Sequence, residues 1–264
     1  MNGARQDSAG RLWAGTSGWT YPHWRRLFYP ESLPSKDYLG YYSSRFQTTE
    51  INYSFYHLPK PETFCKWAAA TPVNFRFAVK VNRTITHKQR LRDAGQIWSK
   101  FVQSALDLGP KLGPLLLQFP PSFRAEAGLL SDFLSHSREA ASGKEIMMAF
   151  EFRHASWFSE QVADLLAAAG AAMVIADSSR YPMAPLAPTA SFVYLRFHGP
   201  EALFASSYSD QQLRVWAERI MGWLKSGLDV YAYFNNDAGG CAIRNLRRLL
   251  EFTGRPPETP SSKD

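Results

Sequence analysis

The run from Glu145 to Trp157, EIMMAFEFRHASW, begins apolar and strand-like and ends in Glu151, Arg153 and His154, all ionisable. Side chains of a strand alternate faces, so Met147, Ala149, Glu151 and Arg153 share one side while Ile146, Met148, Phe150 and Phe152 share the other. One face is wholly apolar, and the second turns polar only at its carboxyl end. That asymmetry suits a strand of a β/α barrel, whose apolar face packs on helices and whose polar tip opens into a site. The phase recurs. Ile51, Tyr53 and Phe55 alternate with Glu50, Asn52 and Ser54; Phe77, Val79 and Val81 with Ala78, Lys80 and Asn82; Val193, Leu195 and Phe197 with Tyr194, Arg196 and His198; and Val174 and Ala176 with Ile175 and Asp177.

Strand-like and helix-like segments alternate eight times with no linker rich enough to divide the chain, and the strands are expected at Leu12–Ser17, Thr49–Phe55, Phe75–Val81, Pro114–Phe119, Ile146–Arg153, Ala172–Asp177, Phe192–His198 and Val230–Asn235. Ser159 can cap a helix that stops at Gly170, and Ser209 with Gln212 forms a capping box ahead of Leu213, Trp216, Ala217, Ile220 and Leu224. Ile243, Leu246, Leu249 and Leu250 share a face of the last helix. The link RYPMAPLAPTA, between strands six and seven, is too proline-rich for a regular helix. A β-sandwich would not intersperse helices of this length, so the pattern predicts one (β/α)8 TIM barrel. It spans residues 11–252, with a disordered lead-in over 1–10 and a flexible tail over 253–264.

A chain of 264 residues that is 45% hydrophobic can bury a full core for one such domain. Cys65 and Cys241 stand in no metal or redox spacing, which points to a reducing, cytoplasmic setting. The N-terminus lacks the apolar core of a secretory signal, and no apolar run approaches the ~18 residues of a membrane span. The formal charge of +7 mildly favours anionic partners.

GTSGW (Gly15–Trp19) with Tyr21, Trp24 and FYP (Phe28–Pro30) resembles the opening signature of the domain-of-unknown-function 72, or YecE-like, family. The resemblance continues in order through TEINYSFY (Thr49–Tyr56), KWAAATPVNFRFAVK (Lys66–Lys80), GPLLLQFPPSF (Gly113–Phe123), EFRHASW (Glu151–Trp157), RFHG (Arg196–Gly199) and YFNND (Tyr233–Asp237). It implies a barrel related in shape to the xylose-isomerase and endonuclease IV type, and no reaction.

The last inward positions of the strands are Ser17, Glu50 with Asn52, Lys80 with Asn82, Gln118, Glu151 with Arg153, Asp177, Arg196 with His198, and Asn235. Glu50, Glu151, Asp177 and His198 are the acid–base candidates, and Lys80, the fifth catalytic candidate, would hold charge with Arg153 and Arg196. Buried charges of both signs are expected to pair, with Lys80 or Arg153 on Glu50 or Glu151. Paired or not, such groups have the shifted pKa values that acid–base chemistry needs. Lys80 would serve Schiff-base chemistry if desolvated, but a lone inward lysine beside carboxylates is more often an ion-pair partner. Lys80, Arg153 and Arg196 bring positive charge among the carboxylates and histidines, which repels a metal, so neither metal nor cofactor is expected. The common barrel glycosidases carry their carboxylates on strands four and seven, where this chain has Gln118 and His198.

Trp19, Tyr21, Trp24, Tyr56, Trp157 and Tyr181 follow strand ends, and six aromatics together point to a ring-containing ligand. Trp19, Asn52, Arg153, His154, Trp157, Arg196, Gly199, Asn235 and Asn236 are the candidate binding residues. The loops after strands seven and eight, with Gly199, Gly239 and Gly240, are the expected anion site. The leading expectation is a metal-independent, hydrolase-like protein that binds or hydrolyses an anionic, ring-containing ligand: a nucleic acid or a phosphorylated nucleotide-like small molecule. The alternatives are a sugar-processing enzyme (isomerase, epimerase or glycosidase) and a binding protein without turnover.

Overall fold

The computed structural model describes residues 9–141 and 143–256. Most of the expected lead-in (1–8) and tail (257–264) therefore lies outside the described residues. The fold is α/β, and every strand pairing is parallel. The strands are β1 (Leu12–Thr16), β2 (Thr48–Ile51), β3 (Arg76–Lys80), β4 (Leu112–Gln118), β5 (Met148–Glu151), β6 (Ala172–Met173), β7 (Ile175–Asp177), β8 (Phe192–Phe197) and β9 (Asp229–Phe234). The helices between and after them are α1 (Tyr38–Ser43), α2 (Tyr53–Tyr56), α3 (Pro61–Ala69), α4 (Gly95–Ala105), α5 (Ala127–Ser137), α6 (Glu160–Ala168), α7 (Asp210–Lys225) and α8 (Cys241–Phe252). No helix among the described residues is long and apolar enough to cross a membrane.

The strands form two sheets, ordered β1-β9-β8-β7 and β2-β3-β4-β5-β6. The sixth expected strand is divided at Val174, its first half pairing with β5 and its second with β8. At the other junction no backbone ladder joins β1 to β2 among the described residues. Side chains bridge that seam instead. Tyr42 accepts from Thr16 N and Oγ1, both at 2.9 Å, and donates to Thr48 O at 3.1 Å. Thr49 Oγ1 donates to Thr16 O at 3.0 Å. Gly15 is required here, because a Cβ would fall 2.2 Å from Thr48 O.

The apolar periodicities form as their residue types dictate. Ser159 caps α6, and the Ser209–Gln212 capping box opens α7. Ile243, Leu246, Leu249 and Leu250 of α8 are buried together. One face of the strands enters the main core under the helices. The opposite faces meet in a second buried cluster of Trp13, Ala78, Leu116, Ala149, Ala172, Val174, Ala176, Phe192, Tyr194, Tyr231 and Tyr233. The segment 178–191 is irregular, as its prolines require, and Thr189 Oγ1 ties it back to β6 through Met173 N and Ala171 O.

Two expectations are corrected. The second strand stops at Ile51 and the chain turns into α2, so Tyr53 and Phe55 do not continue the alternation. In the sixth strand the inward residues are Val174 and Ala176, which puts Asp177 on the helix side. There Asp177 Oδ2 accepts from Trp216 Nε1 of α7 at 2.7 Å.

Candidate functional site

The polar ends of the inward faces build a buried ionic network. Arg196 of β8 donates from Nε and Nη2 to Glu50 of β2, at 2.9 and 2.7 Å, and from Nη1 to Glu151 of β5, at 2.6 Å. One guanidinium thereby ties the two sheets together. Tyr194 Oη also donates to Glu50, at 2.8 Å, and Arg153 Nε donates to Glu151 Oε1, at 2.9 Å. Arg196, Glu50 and Glu151 are essentially solvent-free. Burial alone would push both carboxyls up, but Arg196 overrides it. Aided by its own and Tyr194's hydrogen bonds it holds Glu50 below its ordinary value, and with Arg153 it holds Glu151 well below. Burial would lower Arg196, and the two carboxylates raise it instead.

His198 stands beside this network. Asn235 Nδ2 lies 3.2 Å from its Nδ1, and an amide nitrogen only donates. Its Nε2 lies 3.4 Å from both Glu151 Oε1 and Arg196 Nη1. Burial lowers the His198 pKa despite Glu151, so the ring is neutral near neutral pH.

Above the network is a cleft of about 570 Å³. Lys80, Arg153, His87 and Asp237 supply its titratable wall, Asn52, Gln118 and Asn235 its amides, and Tyr21, Phe55, Tyr56 and Phe204 its rings. Lys80 is the unusual member. Its Nζ lies 4.1 Å from the centre of the Phe55 ring and makes no hydrogen bond or ion pair among the described residues. Burial first, then Arg196, lowers its pKa to about 7. The expected choice of Lys80 or Arg153 as carboxylate partner falls to Arg153. Arg153 lies over the Tyr181 ring at 4.4 Å and is 12% exposed, and its terminal nitrogens have no partner among the described residues. His87 sits in the π-helical turn Thr84–Lys88, and burial followed by Lys80 and Arg153 lowers it to about 4. Across the cleft, Asp237 accepts from Trp24 Nε1 at 2.8 Å and faces His23 Nε2 at 2.8 Å, and burial raises its pKa.

Of the residues expected in the site, the structure brings Glu50, Glu151, Arg196, His198, Asn235, Asn52, Lys80 and Arg153 together. Asp177 faces α7, as above. Trp157 is buried against Phe152, its ring centroid 4.2 Å away, and donates Nε1 to Phe123 O, so it does not reach the cleft. His154 caps the short turn Ala155–Trp157 by accepting from Ser156 N. Trp19 packs edge-on against Trp67 and lines a neighbouring pocket of about 560 Å³ that shares Tyr21 and Asn52 with the cleft. At the expected anion site, the Gly199 N–H and the Asn236 amide are already bonded within the protein. Gly199 N donates to Tyr208 Oη, and its φ of +104° with Ala202 O close by explains the glycine. Asn236 is fully buried and donates to Ser206 O and Asn245 Oδ1.

His23, Phe55 and Phe204 line the cleft although the sequence pattern does not mark them as site residues. Phe55 reaches the cleft only because the chain leaves the strand at Asn52, and Phe204 comes from a loop with φ of +63°. The alternation sets Phe55 on the apolar face of a strand, and Phe204 has no periodic signal. Among the described residues no group of three or more His, Cys, Asp and Glu is gathered to hold a metal.

Parallel sheets whose inner faces end in a buried ion network under a polar cleft define a TIM-barrel-like α/β protein with a candidate small-molecule site. The chain belongs to the DUF72 family, "Protein of unknown function DUF72", whose model matches residues 13–263. It is 28% identical to the UPF0759 protein YunF of Bacillus subtilis, over 91% of this chain and 94% of that one. It is 30% identical to the UPF0759 protein YecE of Escherichia coli, over 56% of this chain and 51% of that one. Among solved structures, a DUF72 family protein of Thermotoga maritima superposes with a TM-score of 0.76 at 27% identity, covering 92% of this chain and 98% of the other. One from Enterococcus faecalis gives 0.80 at 22% identity, covering 96% and 100%.

Proposed function

We propose that the two sheets close as one (β/α)8 barrel and that the cleft at the carboxyl ends of its strands binds a small, anionic, ring-bearing ligand of the phosphorylated-nucleotide class. Closure is supported by the short break at Val174, whose N–H still bonds Phe150 O, and by the Tyr42 and Thr49 bonds across the β1–β2 seam. The ligand class rests on one observation: the Lys80 ammonium at the wall of the cleft forms no ion pair with a carboxylate among the described residues. Glu50 and Glu151 are matched beneath it by Arg196 and Arg153, and Lys80 is left over. A desolvated, unmatched ammonium attracts an anion far more strongly than one in water. The volume suits one small ligand. Tyr21, Phe55, Tyr56 and Phe204 offer faces for a ring, and Gln118 and Asn235 offer amides. The carboxylates that sugar chemistry would use are held ionised by Arg196, with hydrogen bonds already on their oxygens. Lys80 and Asp237 are therefore the groups left in the cleft to exchange a proton. Free Cys65, exposed on the surface, supports a cytoplasmic setting.

Calorimetric titration with adenosine monophosphate and with adenosine tests this reading. The monophosphate should bind more tightly, more weakly as salt rises, and at least about tenfold more weakly in Lys80→Met. Equal, salt-independent binding of both compounds would overturn it.

A further inference from the structure

Lys80 differs from the other ionised groups at the inward end of the strands in having no hydrogen bond or ion pair among the described residues. Arg196 and Arg153 are fixed by Glu50 and Glu151, and His198 lies between Glu151 and Asn235. Lys80 stands over an apolar ring at the wall of a cavity large enough for a ligand. A lysine kept for structure is expected on a carboxylate; one kept for reaction must have its lone pair unencumbered and facing substrate.

We propose that Lys80 is a covalent nucleophile which forms a Schiff base with an aldehyde or ketone carrying an anionic group, Arg153 holding that group. The inference rests on the anionic-ligand reading above and names the functional group that such a ligand presents to Lys80. In the step, the neutral amine adds to the carbonyl carbon and forms the N–C bond. The carbonyl oxygen takes one proton from the nitrogen and one from solvent and leaves as water. The product is a protonated imine, so the site returns to the charge it has with an ammonium, and no oxidant or reductant is involved.

The surroundings favour each stage. The Phe55 ring shields one side of Nζ from water, and that desolvation favours the neutral amine. The groups that act on Lys80 are Arg196 from β8, Glu50 from β2, and Glu151 and Arg153 from β5 and its end. His87 faces it from the turn after β3, and Asp237 stands in the same cleft paired with His23. Burial and Arg196 outweigh the two carboxylates, so a large share of the amine is neutral near neutral pH. Arg153 keeps two terminal nitrogens without a partner among the described residues, on the same wall, and a planar fork suits a phosphate or carboxylate.

The test uses the full chain with pyridoxal phosphate, a ring-bearing anionic aldehyde, trapped by borohydride and located by peptide mass mapping. Pyridoxine phosphate, which lacks the carbonyl, is titrated in parallel. One adduct per chain on the Lys80 peptide is expected. Its rate should rise through about pH 7, and the peptide should stay unlabelled in both Lys80→Met and Lys80→Arg. Arg153→Met should slow labelling by about tenfold or more. Labelling confined to surface lysines overturns the Schiff base. If pyridoxine phosphate nevertheless binds in the cleft and is weakened by Lys80→Met, the anionic-ligand reading survives alone. If neither compound binds, both fall. Mapping of the wild-type protein decides the matter even if a variant does not fold.

Discussion

At the scale of residues, Glu151 and Lys80 set opposite limits on stability. Glu151 is the hub of the network, and removing its charge leaves Arg196 buried with one carboxylate and Arg153 with none. Glu151→Gln should lower the unfolding free energy by about 3–5 kcal/mol in a denaturant titration. The pH dependence has a definite sign. Because the folded pKa lies well below the ordinary 4.5, the stabilisation is full above that value and is lost as pH falls towards the folded pKa. Wild type should therefore have an acid limb that the Gln variant lacks. For Lys80 the sign is reversed. A folded pKa lowered from 10.5 to about 7 means that burying the ammonium destabilises the protein below pH 7, and that the penalty fades as pH rises towards 10.5. Solvent at the partly exposed side chain discounts the full shift, so Lys80→Met should stabilise by about 1–2 kcal/mol near pH 6, with little difference near pH 10. A variant less stable than wild type at the lower pH would mean that Lys80 has a carboxylate partner in solution. A protein gains nothing in stability from such a residue, which suits a functional one.

Elements explain both what the chain's pattern reveals and what it hides. The helix signals are local chemistry, so Ser159, the Ser209–Gln212 box and the α8 stripe are legible before any tertiary contact is known. Alternation places Glu50, Glu151, Arg196, His198 and Asn235 correctly because their strands carry one polar and one apolar face. It fails in Ala172–Asp177, where both faces are buried and apolar, so a polar last residue does not report the phase. It also fails after Asn52, where the strand becomes a helical turn and carries Phe55 to the cleft. That Arg153 and not Lys80 meets Glu151 is a matter of side-chain reach, on which spacing is silent. The corrected place of Asp177 yields its own expectation. Trp216→Phe leaves a partly buried carboxylate without its α7 donor and should cost about 1–3 kcal/mol by chemical denaturation. Ser209→Ala should cost about 1 kcal/mol through the α7 cap alone. If Trp216→Phe is no worse than Ser209→Ala, the Asp177–Trp216 bond does not anchor β7.

For the whole molecule, the two junctions between the sheets are unequal. The one at Val174 is crossed by the chain itself, with a backbone bond from Val174 N to Phe150 O. The β1–β2 seam depends on side chains, above all the Tyr42 hydroxyl, which takes two donors from Thr16 and gives its own hydrogen to Thr48 O. Burial pushes the Tyr42 pKa up to about 12, so the hydroxyl remains a donor throughout the accessible pH range. Above the seam, Asn52 Nδ2 donates to Ser17 O, and Asn52 lines the cleft, so loosening the seam disturbs the site from below. Tyr42→Phe keeps the ring's packing against Trp24, Phe28 and Phe46 but strands the Thr16 N–H. The expected loss is about 1–3 kcal/mol. Hydrogen exchange locates it: the Thr16 amide should speed up far more than Leu115 to Gln118 in β4, which has ladder partners on both sides. Adenosine monophosphate affinity should fall with it, since Asn52 moves with the seam. Uniform acceleration across all strands, with affinity unchanged, would mean that the molecule opens as one unit and that the seam is no weaker than the ladders beside it.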